Sequence, residues 1–384
     1  MPSALFVTTV PVTLEAFLVP FADHFRAQGW HVDAAARAAS SERALDGHFD
    51  RVFDVPWSRD PLDPSNLLTA ATRIREIVRE GGYDIVHVHT PVAAFVTRFA
   101  LRSLRRGPGP RPAVIYTAHG FHFFAGQPPL PHAVYRTVER IAAPWTDRLV
   151  VVNDEDLAAA RLFTGLRPDQ VRLIRGIGVD TERFSPAAVP ASEAEQVRRE
   201  IDVRAGAFLL TMVAELAPVK RHALALEALA RVADPSVVLA LVGDGPLESD
   251  LRALVAAKGL DDRVRFAGYR RDVPAVLAAS DALLLVSERE GLNRSALEAM
   301  ASGVPVIGTD TRGIADAIGD GAGWIVPKDD AAGLAAVIEE AASHPGEVAL
   351  RGRAARKRAL SEFSLDRVID AYDGLYHETL ASHL

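Results

Sequence analysis

A chain of 384 residues is too long for one ordinary hydrophobic core, so two domains are expected. Its 49% hydrophobic and 24% charged residues are those of a soluble globular protein, and a net charge of −7 argues against general nucleic-acid affinity. The absence of cysteine excludes a disulfide framework and thiolate chemistry.

The N-terminal half alternates strand and helix. ALFVTTV, at the start, is strand-length and lacks the basic flank of a signal peptide. An amphipathic helix, TLEAFLVPFADHFRAQG, follows and stops at Gly29. WHVDAAA is the next strand, then a loop and helix, DPLDPSNLLTAATRIREIVREGG. YDIVHVHT, PAVIYTAHG, DRLVVVN and VRLIRGIGVD complete the strands, with a helix from Asp154. Such alternation predicts parallel βαβ units with both faces of the sheet covered.

The Pro-rich segment DTERFSPAAVPASEAEQ is the expected hinge, and the alternation restarts after it. FLLTMVAE, VVLALVGDG, VRFAGY, ALLLVS, VPVIGTD and GWIVP are strands. RHALALEALARVA, PLESDLRALVAAKG and RDVPAVLAAS are helices. The run from Ala275 to Val286 carries Asp281 and is too short to span a bilayer. A cytoplasmic location is expected. Charge divides unevenly: residues 1–186 hold 21 basic and 20 acidic groups, residues 187–384 hold 22 and 30. A basic run, Arg98, Arg102, Arg105, Arg106 and Arg111, is a candidate contact with an anionic acceptor or a membrane surface.

The most informative stretch is Ser287 to Pro305, SEREGLNRSALEAMASGVP. A buried strand points at a turn, Gly291-Leu292-Asn293, and the turn opens a helix from Arg294 to Ser302. Backbone N–H groups at a helix start bind phosphate. Carboxylates on either side, Glu290 and Glu298, are acceptors for sugar hydroxyls. The string from Glu290 to Ile307 resembles the E-x7-E signature of family 4 of the retaining glycosyltransferases, with Asn293 where that family most often has Pro. The resemblance implies the GT-B fold: two Rossmann-like doubly wound parallel-sheet domains facing a cleft, with the C-terminal helix crossing back to the N-terminal domain. The expected boundaries are 1–186 plus 364–384 on the acceptor side, and 187–363 for the nucleotide-sugar donor. In look the chain is closest to bacterial capsule and exopolysaccharide transferases.

The resemblance extends to other positions. TMVAELAPVKRHALALEALA is similar to the family's G-R-L-x-P-x-K-G element, whose Lys contacts donor phosphate; Lys220 takes that place, and Glu215 stands where Arg is commonest. VGDGP implies donor-pocket lining by Gly243 and Gly245, and RFAGYRRDV implies base contacts at Tyr269 and Arg270. His119, in TAHGFHFFAG, resembles the family's histidine beside the donor sugar, with His122 an unassigned neighbour. His87 and His89 alternate on a strand and point the same way. The loop TTVPVTLEAF replaces a Gly-rich donor loop and offers Thr8, Thr9 and Thr13 as hydroxyl donors. Asp154-Glu155-Asp156 spells D-x-D but opens a helix, where acids are routine.

The expected activity is retaining transfer of a hexose or N-acetylhexosamine from a nucleoside-diphosphate sugar, UDP-linked, to a hydroxyl of a glycan-lipid or small-molecule acceptor. No metal or cofactor is expected. Lys220 and the N–H groups of Gly291, Leu292, Asn293 and Arg294 bind the diphosphate, Glu298 the ribose, Glu290 and His119 the sugar. The rivals are a UDP-sugar 2-epimerase of similar fold and a non-catalytic nucleotide-sugar-binding protein.

Overall fold

Most strand residues outside the edge strands are buried, which is why the strands read as unbroken apolar runs rather than alternating ones. The computed structural model describes residues 1–58, 60, 63–104, 111–124 and 126–383. The chain divides into two units, Met1–Ile177 with Val368–Leu384, and Gly178–Arg367.

Unit 1 holds a seven-stranded parallel sheet. Its strands are β1 (Ser3–Val7), β2 (His31–Ala36), β3 (Val52–Asp54), β4 (Ile85–Val88), β5 (Ala113–Ala118), β6 (Arg148–Val151) and β7 (Val171–Leu173). The spatial order is β3-β2-β1-β4-β5-β6-β7. The order reverses between β1 and β4, and at such a switch point the loops leave the carboxyl ends of neighbouring strands in opposite directions. Unit 2 repeats the plan with β8 (Phe208–Val213), β9 (Val237–Val242), β10 (Val264–Gly268), β11 (Ala282–Leu285), β12 (Val306–Thr309) and β13 (Gly323–Val326). Their order is β10-β9-β8-β11-β12-β13, with the switch between β8 and β11. This is the GT-B plan of two Rossmann-like parallel-sheet domains.

Several local features depart from the sequence expectation. The first helix is interrupted by a π-helical turn at Leu14–Leu18, where the Val19 N–H reaches the Leu14 carbonyl. Pro20 lacks the N–H that would continue the ordinary ladder, and the widened turn absorbs the gap. The short edge strand β3 and the helices Pro91–Leu101 and Pro129–Ala142 are additions, and helix Ala191–Glu200 occupies part of the expected hinge.

The division falls at Ile177/Gly178, before residue 186. Val179 and Phe184 pack with Leu283, Leu297 and Phe363, and the Val179 N–H donates to the Phe363 carbonyl. These contacts tie residues 178–186 to unit 2. The last helix, Leu365–Ala381, joins unit 1 from Val368 onward. Tyr372, Leu375 and Tyr376 are buried there, and the Tyr376 ring stacks on Phe25 at 4.4 Å.

Candidate active site

In unit 2 the loops after β8 and β11 meet at the switch point. The Glu288 N–H donates to the Val219 carbonyl at 2.8 Å, which ties the Pro218–Lys220 turn to the loop before the long motif. Lys220 Nζ then lies 2.7 Å from Glu290 Oε1, both side chains largely buried. Two residues 70 positions apart are thus one ion pair. An ammonium has three donors, so pairing with Glu290 leaves capacity for an anion.

The helix Arg294–Ala301 begins beside this pair. Asn293 is its N-cap: its side-chain oxygen accepts the Ala296 N–H at 3.0 Å and the Ser295 hydroxyl at 2.7 Å. That explains why Asn is tolerated at this turn position, since a capping side chain satisfies a first-turn donor that would otherwise lack an intrahelical partner. Glu298, one turn on, is buried and accepts from Arg294 Nε at 2.7 Å. Burial raises its pKa, opposed by Arg294 and Arg183. Arg183 was not among the residues expected here; it lies in the segment that would have been assigned to unit 1.

Gly313 also escaped the sequence reading. It opens the helix Ile314–Ile318 at φ +78°, and an added Cβ would stand 2.1 Å from the Gly291 carbonyl oxygen. Only glycine allows this backbone to close on the Glu290-Gly291 turn. The Arg312 guanidinium donates to the Glu290 carbonyl at 3.3 Å.

The other expected residues of unit 2 divide between internal contacts and exposed positions. A Cβ at Gly243 would lie 2.1 Å from the Ala214 carbonyl oxygen, and one at Gly245 would lie 2.6 Å from Leu216. Close approach of the β8 loop therefore requires both glycines. Leu292 is half-buried and packs against the cluster around Leu283 and Met300. Tyr269 is 70% exposed, with its N–H on Asp244 Oδ1 at 3.0 Å. Arg270 is held by Asp272 and Glu200, which raise its pKa. A base contact through the Arg270 guanidinium has to compete with two carboxylates. The Glu215 side chain is exposed.

The residues of unit 1 come together differently. His119 follows β5, and its Nε2 lies 3.0 Å from His89 Nδ1, with the rings stacked at 5.3 Å. His87 lies beside His89, their ring centroids 4.1 Å apart. His87 Nδ1 meets the Tyr376 hydroxyl at 2.6 Å and Nε2 meets Thr117 Oγ1 at 2.8 Å. Thr117 in turn pairs with the Tyr372 hydroxyl at 3.0 Å. Burial pushes His119 down to about 4 and His87 to about 3, and lowers His89 well below the ordinary value, with His87 and His119 adding to the shift. All three are neutral near pH 7. They line a cavity of ≈ 10 Å³ with Phe6, Leu18, Phe21, Ile177, Tyr372 and Tyr376, far too small for a sugar. The C-terminal helix is therefore part of the scaffold behind His119.

Asp156 supports the same loop. It is fully buried and accepts the Phe121 N–H at 3.1 Å, while Asn153 caps its helix through the Asp156 N–H at 2.8 Å. Asp154 pairs instead with Arg175 at 2.9 Å on the surface. The two aspartates of the D-x-D string thus have separate partners, and no group of three metal-binding side chains occurs among the described residues. His122 packs its ring against Tyr135 at 5.4 Å.

The threonines are buried within unit 1. Thr8 is fully buried and donates to the Val10 carbonyl at 2.9 Å, so its hydroxyl serves the turn. Thr9 is buried; its N–H donates to Thr90 Oγ1 at 3.0 Å and its hydroxyl pairs with the same atom at 2.8 Å. Thr90 sits at φ +42°, costly for a β-branched residue, and Pro91 bars it from the α region. Thr13 is buried in the first helical turn. The basic run also changes meaning. Arg98 is 2% exposed, ion-paired with Glu139 at 2.8 Å and stacked on Tyr116. Arg102 lies over Phe99 at 3.5 Å. Arg105 and Arg106 lie outside the described residues, and Arg111 is exposed.

Comparison with known proteins bears on the family and the fold. The family described as Glycosyltransferase Family 4 matches residues 14–183, and Glycosyl transferases group 1 matches residues 193–358. EpsD of Bacillus subtilis (strain 168) is 35% identical over 377 residues, covering 97% of this chain and 95% of that protein. The UDP-Gal:alpha-D-GlcNAc-diphosphoundecaprenol alpha-1,3-galactosyltransferase of Escherichia coli is 31% identical over 268 residues, covering 68% and 67%. The crystal structure of Anabaena Alr3699/HepE in complex with UDP superposes with a TM-score of 0.81 over 100% of both chains, at 21% identity. The matched length and the two-sheet plan agree, and the chain belongs to glycosyltransferase family 4, among relatives of exopolysaccharide enzymes.

Proposed function

We propose that this glycosyltransferase moves a hexose or N-acetylhexosamine from a UDP-sugar to a hydroxyl of a glycan-lipid acceptor, with retention and without a metal. The observation that carries the reading is the Lys220–Glu290 pair beside the start of helix Arg294–Ala301. A cation next to a helix N-terminus is a site for a departing diphosphate, and stabilising charge as it develops is the electrostatic task that usually matters most. Lys220 keeps one N–H on Glu290 and turns the others to phosphate oxygens. Glu298, oriented by Arg294, takes the ribose hydroxyls. Glu290 contacts the sugar, and His119 serves the sugar as well. In the absence of an assigned nucleophile, the acceptor attacks the face the phosphate leaves, and a phosphate oxygen takes the acceptor's proton. The choice of UDP is supported by the UDP-Gal donor named for the Escherichia coli relative and by UDP in the Anabaena structure.

A glycan-lipid acceptor is supported by the diphosphoundecaprenol acceptor named for that relative and by one surface of unit 1. Helix Pro129–Ala142 exposes Leu130, Val134 and Ile141 at 76%, 51% and 52%, one stripe of the helix, with Arg140 exposed and Arg136 half-exposed. Apolar residues flanked by arginines suit an anionic membrane surface. No helix of the described residues is long and apolar enough to cross a membrane. The test is transfer from radiolabelled UDP-sugars to undecaprenyl-diphosphate-linked saccharides, with and without EDTA. Transfer with retained anomeric configuration in EDTA is expected. Free epimerised sugar, or a requirement for manganese or magnesium, would overturn the reading.

A further inference from the structure

The contact between His89 and His119 has a direction that can be worked out from the surrounding groups. His89 follows β4 and is 1% exposed; its Nδ1 is 3.0 Å from His119 Nε2. Its backbone N–H donates to the Val7 carbonyl, so the residue is anchored at the switch point of unit 1. The ring is fixed by His87 at 4.1 Å and by Phe6, edge-on, at 6.3 Å. The other ring nitrogen, Nε2, meets no hydrogen-bond partner among the described residues. The nearby hydroxyls of Tyr372 and Tyr376 are engaged by Thr117 and His87.

Two neutral imidazoles share one proton at this contact, and there are two arrangements. If His119 Nε2–H donated, His89 would carry its own proton on Nε2 and bury an N–H without an acceptor. If His89 Nδ1–H donates, the buried Nε2 is a bare lone pair. Orphaned buried N–H groups are the rarer of the two in proteins, so the second arrangement is favoured.

We propose that His89 is a positioning residue for His119: its Nδ1–H donates to His119 Nε2, fixing the ring in the Nδ1–H tautomer and leaving Nδ1–H as the ring group available to the donor sugar. The inference rests on the role of His119 in the proposed transfer. It makes His119 a hydrogen-bond donor to a sugar oxygen rather than a base. The burial that keeps both rings neutral is consistent with it. It also gives the buried H-V-H string a purpose, since a second histidine is required one strand away from the first.

The test combines spectroscopy with conservative variants. Long-range proton–nitrogen spectra of the histidine-labelled parent should show His119 as the Nδ1–H tautomer. His89→Asn places an amide N–H where Nδ1 stands, whereas His89→Gln reaches the Nε2 position and His89→Phe has no donor. The Gln and Phe variants should shift His119 toward the Nε2–H form and lower kcat about tenfold, the worth of one hydrogen bond of about 1.4 kcal/mol. Their UDP affinity should stay within about twofold, because UDP lacks the sugar. His89→Asn should restore the tautomer and most of the lost turnover. An Nε2–H tautomer of His119 in the parent, or parental turnover in both His89→Gln and His89→Phe, overturns the proposal. The parent spectrum needs no variant to fold. A parent without any transfer activity would instead sink the transferase reading, and the spectrum would still decide the tautomer.

Discussion

The candidate residues of the two units use opposite electrostatics on the same topology. In unit 2 the groups at the switch point are charged and paired, Lys220 with Glu290 and Arg294 with Glu298, and Arg270 after the edge strand β10 is paired with Asp272 and Glu200. In unit 1 they are neutral, stacked and buried: His87, His89 and His119, backed by Tyr372 and Tyr376. A site for a diphosphate needs cations held in place before the anion arrives, and intramolecular carboxylates hold them. A site that shields a reacting sugar needs hydrogen-bond donors without net charge, and desolvation keeps imidazoles neutral. The same sheet plan thus hosts two electrostatic environments, set by whether the side chains are given counter-ions or aromatic neighbours.

Acid should separate the two units most. A histidine whose folded pKa is depressed binds protons in the unfolded state first, so stability is intact above about pH 6.5 and falls as the pH drops toward the folded value. His119 and His87 fall to about 4 and about 3, His89 shifts the same way, and in unit 2 His222, buried next to Lys220, falls to about 4. Each fully linked histidine contributes a slope of up to about 1.4 kcal/mol per pH unit. Unit 1 should therefore lose protection against hydrogen exchange more steeply than unit 2 between pH 6.5 and 4. Equal losses in both would remove the contrast.

The next effect is at Lys220. If Lys220 holds the diphosphate as proposed, Lys220→Ala should remove a charge-assisted bond worth about 1.5–3 kcal/mol, roughly ten- to hundredfold in UDP affinity, measurable by calorimetry. Unchanged affinity would take Lys220 out of the donor site. A sharper test pairs the two units. Glu298→Gln should weaken UDP binding about tenfold, since ribose contacts are common to ground and transition states. His119→Ala should bind UDP like the parent and lose turnover. The comparison fails if His119→Ala weakens UDP as much as Glu298→Gln does.

A smaller effect is expected at the cap. Asn293→Ala removes the acceptor for the Ala296 N–H and should cost about 1 kcal/mol of stability in urea titration. Smallest is the surface contact: Leu130→Glu with Val134→Glu should leave transfer to a soluble acceptor unchanged and reduce sedimentation with anionic vesicles. Undiminished sedimentation would place membrane contact elsewhere.

Much of unit 2 was legible in the sequence because its parts are local. Strand, turn, cap and helix follow one another within the twenty residues around Glu290, and strand, turn and helix again around Lys220, so motif and geometry coincide. Even there the pairing of Lys220 with Glu290 spans three crossovers, and the need for glycine at 313 arises from a backbone approach 22 residues away in the chain. Sequence periodicity likewise predicts parallel strands and flanking helices in unit 1, because burial on both faces leaves long apolar runs.

What the sequence by itself determined was the strand–helix alternation, the two parallel sheets, the family and the residue types able to hold a nucleotide sugar. Tertiary structure decided which of those residues meet. It turned Thr8, Arg98 and Asp156 inward, because their hydrogen bonds are made by carbonyls, carboxylates and N–H groups distant in the chain or by a local turn. It also assembled the histidine cluster from β4, β5 and a helix nearly 300 residues later. Local pattern reports burial and turn chemistry, which depend on near neighbours. Pairing across a sheet depends on strand order, and no spacing in the chain encodes that.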